Sequence, residues 1–422
     1  MSSSLAASLP LPCGAVLPNR IAKAAMSEGL ADVENHSTPR LETLYRRWGQ
    51  SGAGLLLSGN VQVDRMHLER PVNVVLDDES GVEQLKPLAE AGKQGGAHFW
   101  LQLSHTGRQV SELINPAPLA PSAVQVDVPR ALGVFAPPRE MTEREIENAI
   151  RQFTFAAQKT RKAGFTGLQL HAAHGYLFSQ FLSPLTNRRT DRWGGSLENR
   201  ARLLLDTIRS IRDVVGPEFP IGIKLNSSDF QKGGFTHAEC IELVKLLNYS
   251  TLDLLELSGG SLEQPKLVGV TFKDQGEDGR RQSTIQREAY FVEFAGAVRH
   301  VARMPVMVTG NFRSVAGMAE ALESGELDLV GIGRPLISDP IAPQRILNGE
   351  MDRILDIEKS LNPFHMLGWF NYQFERLSVG LDPDLTLSGE EAAARFAQIE
   401  ENNMRRLIEH RKQLSFAEPV RG

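Results

Sequence analysis

Apolar positions along the chain recur with two periods that take turns. Runs with a two-residue period, the mark of a strand with a buried face, fall at 20–26, 54–64, 98–105, 165–174, 221–228, 252–260, 304–312 and 327–335. Between and after them come stretches whose apolar residues lie three and four apart, the helical spacing: 38–52, 82–95, 142–164, 196–216, 236–249, 286–302, 314–325 and 339–349. In the third of these, Ile146, Ala149, Ile150, Phe153, Ala156 and Ala157 share one face. Helix starts carry their own signals. Thr142-Glu-Arg-Glu145 and Thr236-His-Ala-Glu239 are capping-box patterns, and Ser196 stands where a side-chain cap is needed.

Eight strand–helix units in one unbroken series predict an α/β fold, a (β/α)8 TIM barrel over residues 1–350. A doubly wound open sheet is the competitor. It would need fewer units and usually a glycine-rich first turn, which this chain lacks. Residues 1–19 read as a cap on the barrel floor, 110–138 as a lid or rim, 268–282 as a second rim loop, and 351–422 as a mainly helical C-terminal extension. That extension holds the aromatic-rich stretch 364–374 and a predicted helix at 390–412.

Composition removes several function classes. The chain is 41% hydrophobic and 23% charged with a formal net charge of −5, which offers nothing basic enough for nucleic acid. Two cysteines, Cys13 and Cys240, cannot ligate an iron–sulfur cluster or build a disulfide framework, which points to a reducing compartment. The N-terminal stretch lacks a charged region and a sustained apolar core, and no apolar run approaches membrane length, so a cytoplasmic location is expected.

Strand parity points to chemistry at the barrel mouth. In the third strand Trp100, Gln102 and Ser104 face inward; in the fifth, Gly222, Lys224 and Asn226 do. A buried lysine and glutamine are costly without a polar partner, which implies a polar ligand there. The last two strands end in Thr309-Gly310-Asn311-Phe312 and Gly331-Ile-Gly333-Arg334. Glycines that let backbone N–H groups approach, joined by a cation after strands seven and eight, suggest a phosphate site. The fourth strand runs into His171-Ala-Ala-His-Gly-Tyr176. An extended chain would point His171 and His174 to opposite faces, so a turn from about Ala172, eased by Gly175, is required to gather His171, His174 and Tyr176.

That segment continues with Phe181-Leu-Ser-Pro184, Asn187-Arg-Arg-Thr-Asp191 and Gly194-Gly-Ser-Leu-Glu-Asn-Arg200. Together these resemble the old yellow enzyme family of FMN-dependent NADH:flavin oxidoreductases, over about residues 10–350. The resemblance implies FMN as cofactor, NADH or NADPH as reductant, and reduction of activated C=C bonds in α,β-unsaturated carbonyl or nitro compounds. Ala24, Ala25, Met26 and Ser27 match the segment beside the flavin ring, Asn60 a second-strand contact, Gln102 the pyrimidine-edge contact, and Lys224 the cation near flavin N1 and O2. Gly310, Gly333 and Arg334 match the phosphate cradle. His171 and His174 match the pair that binds the substrate's activating oxygen, with His171 also counted among the flavin contacts, and Tyr176 matches the proton donor. Ser27 stands where relatives carry cysteine or threonine, Ala25 replaces a common proline, and Asn60 is bulkier than usual.

Other readings of the same residues stay open. Lys224 could form a Schiff base in a barrel aldolase, the chain could bind flavin without turnover, and the histidine pair could ligate metal, though no zinc spacing accompanies it. His105 and Arg108 suit either a substrate rim or a structural role. The expected partner is a small-molecule activated alkene, with no nucleic acid and no membrane; a homo-oligomer is left open.

Overall fold

The computed structural model describes residues 3–129, 133–263 and 292–417. Eight parallel strands close into a barrel: β1 (Ile21–Lys23), β2 (Leu55–Gln62), β3 (His98–Ser104), β4 (Gly167–Ala172), β5 (Ile221–Asn226), β6 (Leu254–Ser258), β7 (Val306–Thr309) and β8 (Leu329–Ile332), with β8 pairing back onto β1. Closure removes the open-sheet alternative. Around it run α1 (Pro39–Gly49), α2 (Val82–Lys93), α3 (Glu143–Lys162), α4 (Leu197–Val215), α5 (His237–Leu247), α6 (Val292–Val301), α7 (Val315–Glu323) and α8 (Ala342–Leu347). Both expected capping boxes form, on Thr142 with Glu145 and on Thr236 with Glu239, and Ser196 accepts the Asn199 N–H.

Two apolar layers hold the barrel. The larger lies between strands and helices and takes the outward positions Phe99, Leu101, Leu103, Leu168, Leu170, Ile221, Ile223 and Leu225. The smaller fills the floor with Ala22, Leu55, Leu57, Trp100, Leu254, Met307 and Leu329, sealed by Leu9, Leu11 and Leu17 of the N-terminal hairpin. The cap expected from residues 1–19 is this hairpin. Trp100 dictates two glycines: a Cβ on Gly167 would lie 2.5 Å from its indole nitrogen, and one on Gly222 2.9 Å from its ring. A single indole thus reaches over the next two strands, β4 and β5, and forces small residues on both.

Beyond α8 the chain forms α9 (Pro363–Leu377) and α10 (Gly389–Ala417), which pack on each other, with α9 also meeting α1. Leu407 of α10 sits with Leu68, Val75, Val110 and Ile114, so the last helix lies against the loops after β2 and β3. The rim loop expected at 268–282 lies outside the described residues. No helix among the described residues is long and apolar enough to cross a membrane.

Candidate active site at the barrel mouth

Chain direction changes where β4 ends. His174 and Gly175 take left-handed φ angles of 61° and 79°, which swing Tyr176 to the side that His171 occupies. The His171 ring centre lies 5.0 Å from that of His174 and 4.7 Å from that of Tyr176, both edge-on. This is the turn that gathers the three side chains. A left-handed histidine costs on the order of 1–3 kcal/mol and persists only where its surroundings hold it. Here its N–H donates to Asn226 Oδ1 (3.1 Å), its Nε2 meets Ser258 Oγ (2.8 Å), and its carbonyl accepts from Gln109 Nε2 (3.0 Å). Gly175 is demanded twice over, because a Cβ there would also lie 2.2 Å from Gln109 Nε2.

Protonation follows from these contacts. His171 Nδ1 accepts the Ala173 N–H (3.3 Å), which leaves the ring proton on Nε2. Burial first, and then the Lys224 charge, push His171 and His174 well below the usual histidine range. Burial and then the Glu69 carboxylate raise the Tyr176 hydroxyl well above the usual tyrosine range, against a hydrogen bond with Asn60. At neutral pH the site therefore presents two uncharged imidazoles and a protonated phenol.

Ser27, Asn60 and Glu69 close one side. Ser27 Oγ lies 2.6 Å from Glu69 Oε2 and 3.2 Å from Asn60 Oδ1, and Asn60 Nδ2 donates to Glu69 Oε2 at 2.6 Å. Ala24, its N–H bonded to Ile332 O (2.8 Å), Ala25 and Met26 line the exit from β1. Underneath, Lys23 Nζ donates to Leu57 O (2.7 Å) where β2 breaks register between Leu57 and Asn60. Its ammonium lies 3.9 Å from Glu28 and 4.4 Å from the Trp48 ring centre, and burial pushes it down to about 8. This strut fixes the exit of β1 against the kink that carries Asn60.

Inside the mouth, Gln102 Nε2 donates to Gln169 Oε1 (2.7 Å), Gln169 Nε2 to Glu256 Oε2 (2.8 Å), and Lys224 Nζ sits 3.1 Å from Glu256 Oε1. Inward parity of β3 and β5 is as expected. Gly310 and Gly333 follow β7 and β8, with Asn311 in a left-handed conformation (φ 54°). Arg334 heads the short helix Pro335–Ser338, but its guanidinium turns toward the extension: Nη1 is 2.9 Å from Met366 Sδ, Nε 3.6 Å from Glu358, and the group 5.9 Å from the Phe370 ring centre.

Among the described residues, Asp64, His67 and His105 come close enough to hold a metal ion. The outer ring nitrogens argue against it. His67 Nε2 accepts the Leu119 N–H (3.1 Å) and His105 Nδ1 accepts the Gly107 N–H (3.0 Å), so the nitrogens facing Asp64, at 3.1 and 3.7 Å, carry the protons. A ligating imidazole needs the reverse, with its outer nitrogen donating. The cluster is a clasp that pins Leu119 of the long loop. Arg108 plays a similar part, with Nη1 donating to Val124 O and Gln125 O and Nη2 to Glu263.

Sequence reasoning missed Glu69, Glu256 and the Lys23–Glu28 strut. Glu256 was findable, since it has the same inward parity on β6 as Lys224 on β5. Glu69 sits in a loop where no period operates.

The model of the NADH:flavin oxidoreductase / NADH oxidase family matches residues 10–353. The chain belongs to that family. Among its relatives, the NADH-dependent flavin oxidoreductase nadA of Aspergillus parasiticus is 35% identical over 420 residues, covering 96% of this chain and 91% of that one. The NADH-dependent flavin oxidoreductase iliE of a Neonectria species is 37% identical over 358 residues. The match covers 80% of this chain but only 46% of that relative, so the chain spans about half of its length. Among solved structures, the old yellow enzyme homologue of Zymomonas mobilis superposes with a TM-score of 0.70 at 25% identity, covering 84% of this chain and 95% of that one. Morphinone reductase in complex with tetrahydroNAD gives 0.68 at 26%, covering 86% and 94%. The old yellow enzyme resemblance, and with it FMN and NADH or NADPH as the family's cofactors, stands on these matches.

Proposed function

We propose that this flavin oxidoreductase reduces activated C=C bonds, with His171 and His174 binding the carbonyl or nitro oxygen of the substrate and Tyr176 delivering the proton. The observation that carries this reading is the gathering of two neutral imidazoles and a protonated phenol on one surface, beside Lys224 and Asn60. The donor set suits FMN. With FMN bound, Lys224 and Gln102 would meet the polar edge of the flavin ring, the β1 exit from Ala24 to Ser27 and Asn60 would flank it, and Gly310, Gly333 and Arg334 would hold the phosphate, the Arg334 guanidinium turning back from Met366 to reach it. Space supports the cradle, since a Cβ on Gly333 would meet nothing nearer than Met26 Sδ at 3.8 Å. When bound, FMN supplies two-electron chemistry, taken from NADH or NADPH.

The chain's own contribution is electrostatic and protonic. His171 offers an Nε2–H, because its Nδ1 is occupied by Ala173, and a fixed neutral donor stabilises negative charge that develops on an oxygen. Tyr176, kept protonated by burial and by Glu69, holds a proton for the carbon that becomes basic. The aldolase alternative loses ground because Lys224 is paired with a buried carboxylate, whereas a Schiff-base lysine must be a free amine. Purified protein should be yellow and release FMN on denaturation, and borohydride with a carbonyl compound should leave Lys224 unmodified. Colourless protein trapped on Lys224 would reverse the reading.

A further inference from the structure

Glu256 is the most deeply buried carboxylate at the mouth, with no exposed surface. It stands in register with Lys224 on the neighbouring strand and 3.1 Å from its ammonium. Thr309 Oγ1 donates to the same oxygen (2.7 Å), and Gln169 Nε2, itself linked to Gln102, donates to the other (2.8 Å). Three donors from β4, β5 and β7 thus converge on one anion from β6. Two opposite charges so close in a medium of low dielectric largely cancel at a distance.

We infer that Glu256 is a positioning residue that sets the reducing strength of the bound flavin by offsetting the charge of Lys224. The inference rests on the reading that Lys224 lies beside FMN. An unpaired ammonium there would favour the negative charge that reduced flavin carries and so raise its potential. With Glu256 behind it, Lys224 keeps its hydrogen-bonding direction while the site gains little net positive charge. The flavin is then easier to oxidise, which suits acceptors that are hard to reduce. A purely structural glutamate would support the barrel without moving the potential.

The test is a midpoint-potential titration of the FMN-loaded protein with four variants. Glu256→Gln should raise the ratio of reduced to oxidised flavin at a fixed potential at least tenfold, about 30 mV for a two-electron couple. Glu256→Asp, which keeps the charge, should stay near the parent. Lys224→Met should lower the ratio, and the Lys224→Met/Glu256→Gln double variant should return toward the parent value. Should the single Gln variant not fold, the double variant, which buries no lone charge, is compared with Lys224→Met and must lie at least tenfold higher. Equal ratios in that comparison, or a parental ratio in folded, FMN-loaded Glu256→Gln, overturn the inference while leaving the functional reading intact. A parent that binds no FMN, or a Lys224→Met variant with unchanged potential, overturns the placement of Lys224 and the inference together.

Discussion

Arg70 grips Glu400 at two points, Nη2 to Oε1 at 2.8 Å and Nε to Oε2 at 3.1 Å, while its third nitrogen reaches the carbonyls of Ser27 and Glu28 at 3.2 Å each. The same nitrogen donates to Asn371 (2.8 Å), and the Phe396 ring lies 5.0 Å away. One guanidinium therefore joins α9 and α10 to the β1 exit that carries Ser27. The extension is part of the wall behind the candidate site.

From this follows a prediction for Glu400→Ala. Removing one partner of a largely buried, two-point charged hydrogen bond costs about 1.5–3 kcal/mol. The urea midpoint should fall, and FMN should leave faster on dilution because the Ser27 segment loses its brace. An unchanged midpoint with unchanged FMN retention would mean that the extension is held by apolar contacts alone and does not support the site.

Acid should loosen the fold in a defined window. Burial, reinforced by His67, pushes His105 down to about 4 from its ordinary 6.5. Between those values the unfolded chain takes up a proton that the folded chain refuses. Stability is therefore highest above pH 6.5 and falls as pH drops toward 4. Each pH unit of depression is worth about 1.4 kcal/mol, so His105 accounts for a loss on the order of 3 kcal/mol. Unfolding midpoints between pH 7 and 4.5 should fall steeply in the parent. They should fall less in His105→Asn, which keeps an acceptor for Gly107, though not be flat, since His171 and His174 are depressed in the same sense. Parallel slopes would remove His105 from this role.

The sequence made the barrel legible because strands with an outer apolar face alternate with helices that carry a stripe to cover it, as Leu168 and Leu170 illustrate, buried in one cluster with Ile146 and Phe153. Strand ends were less legible. Expected strands at 20–26 and 165–174 stop at Lys23 and Ala172, the second because His174 and Gly175 turn into left-handed conformations that leave the ladder. His171, His174 and Tyr176 were readable as a group since extended geometry alone would have separated the histidines. Glu69 was not, because its contacts with Ser27 and Asn60 depend on the path of a loop with no repeating pattern. Arg334 was readable as a cation after β8, but its side-chain direction depends on Met366 and Phe370, some thirty residues later, in an extension that strand–helix periodicity does not place.

Tyr176 is where the account is most exposed. The decisive measurement is anaerobic stopped-flow reoxidation of the reduced protein by a cyclic enone, parent against Tyr176→Phe, which keeps the ring and removes only the proton. General-acid help is worth about 10²–10⁴-fold, so the variant should be slowed by that order with the enone and less with a nitroalkene, whose activating group needs less help, while reduction by nicotinamide is nearly untouched. Reoxidation of Tyr176→Phe by the enone at the parental rate would contradict the account, because the proton would then come from another group.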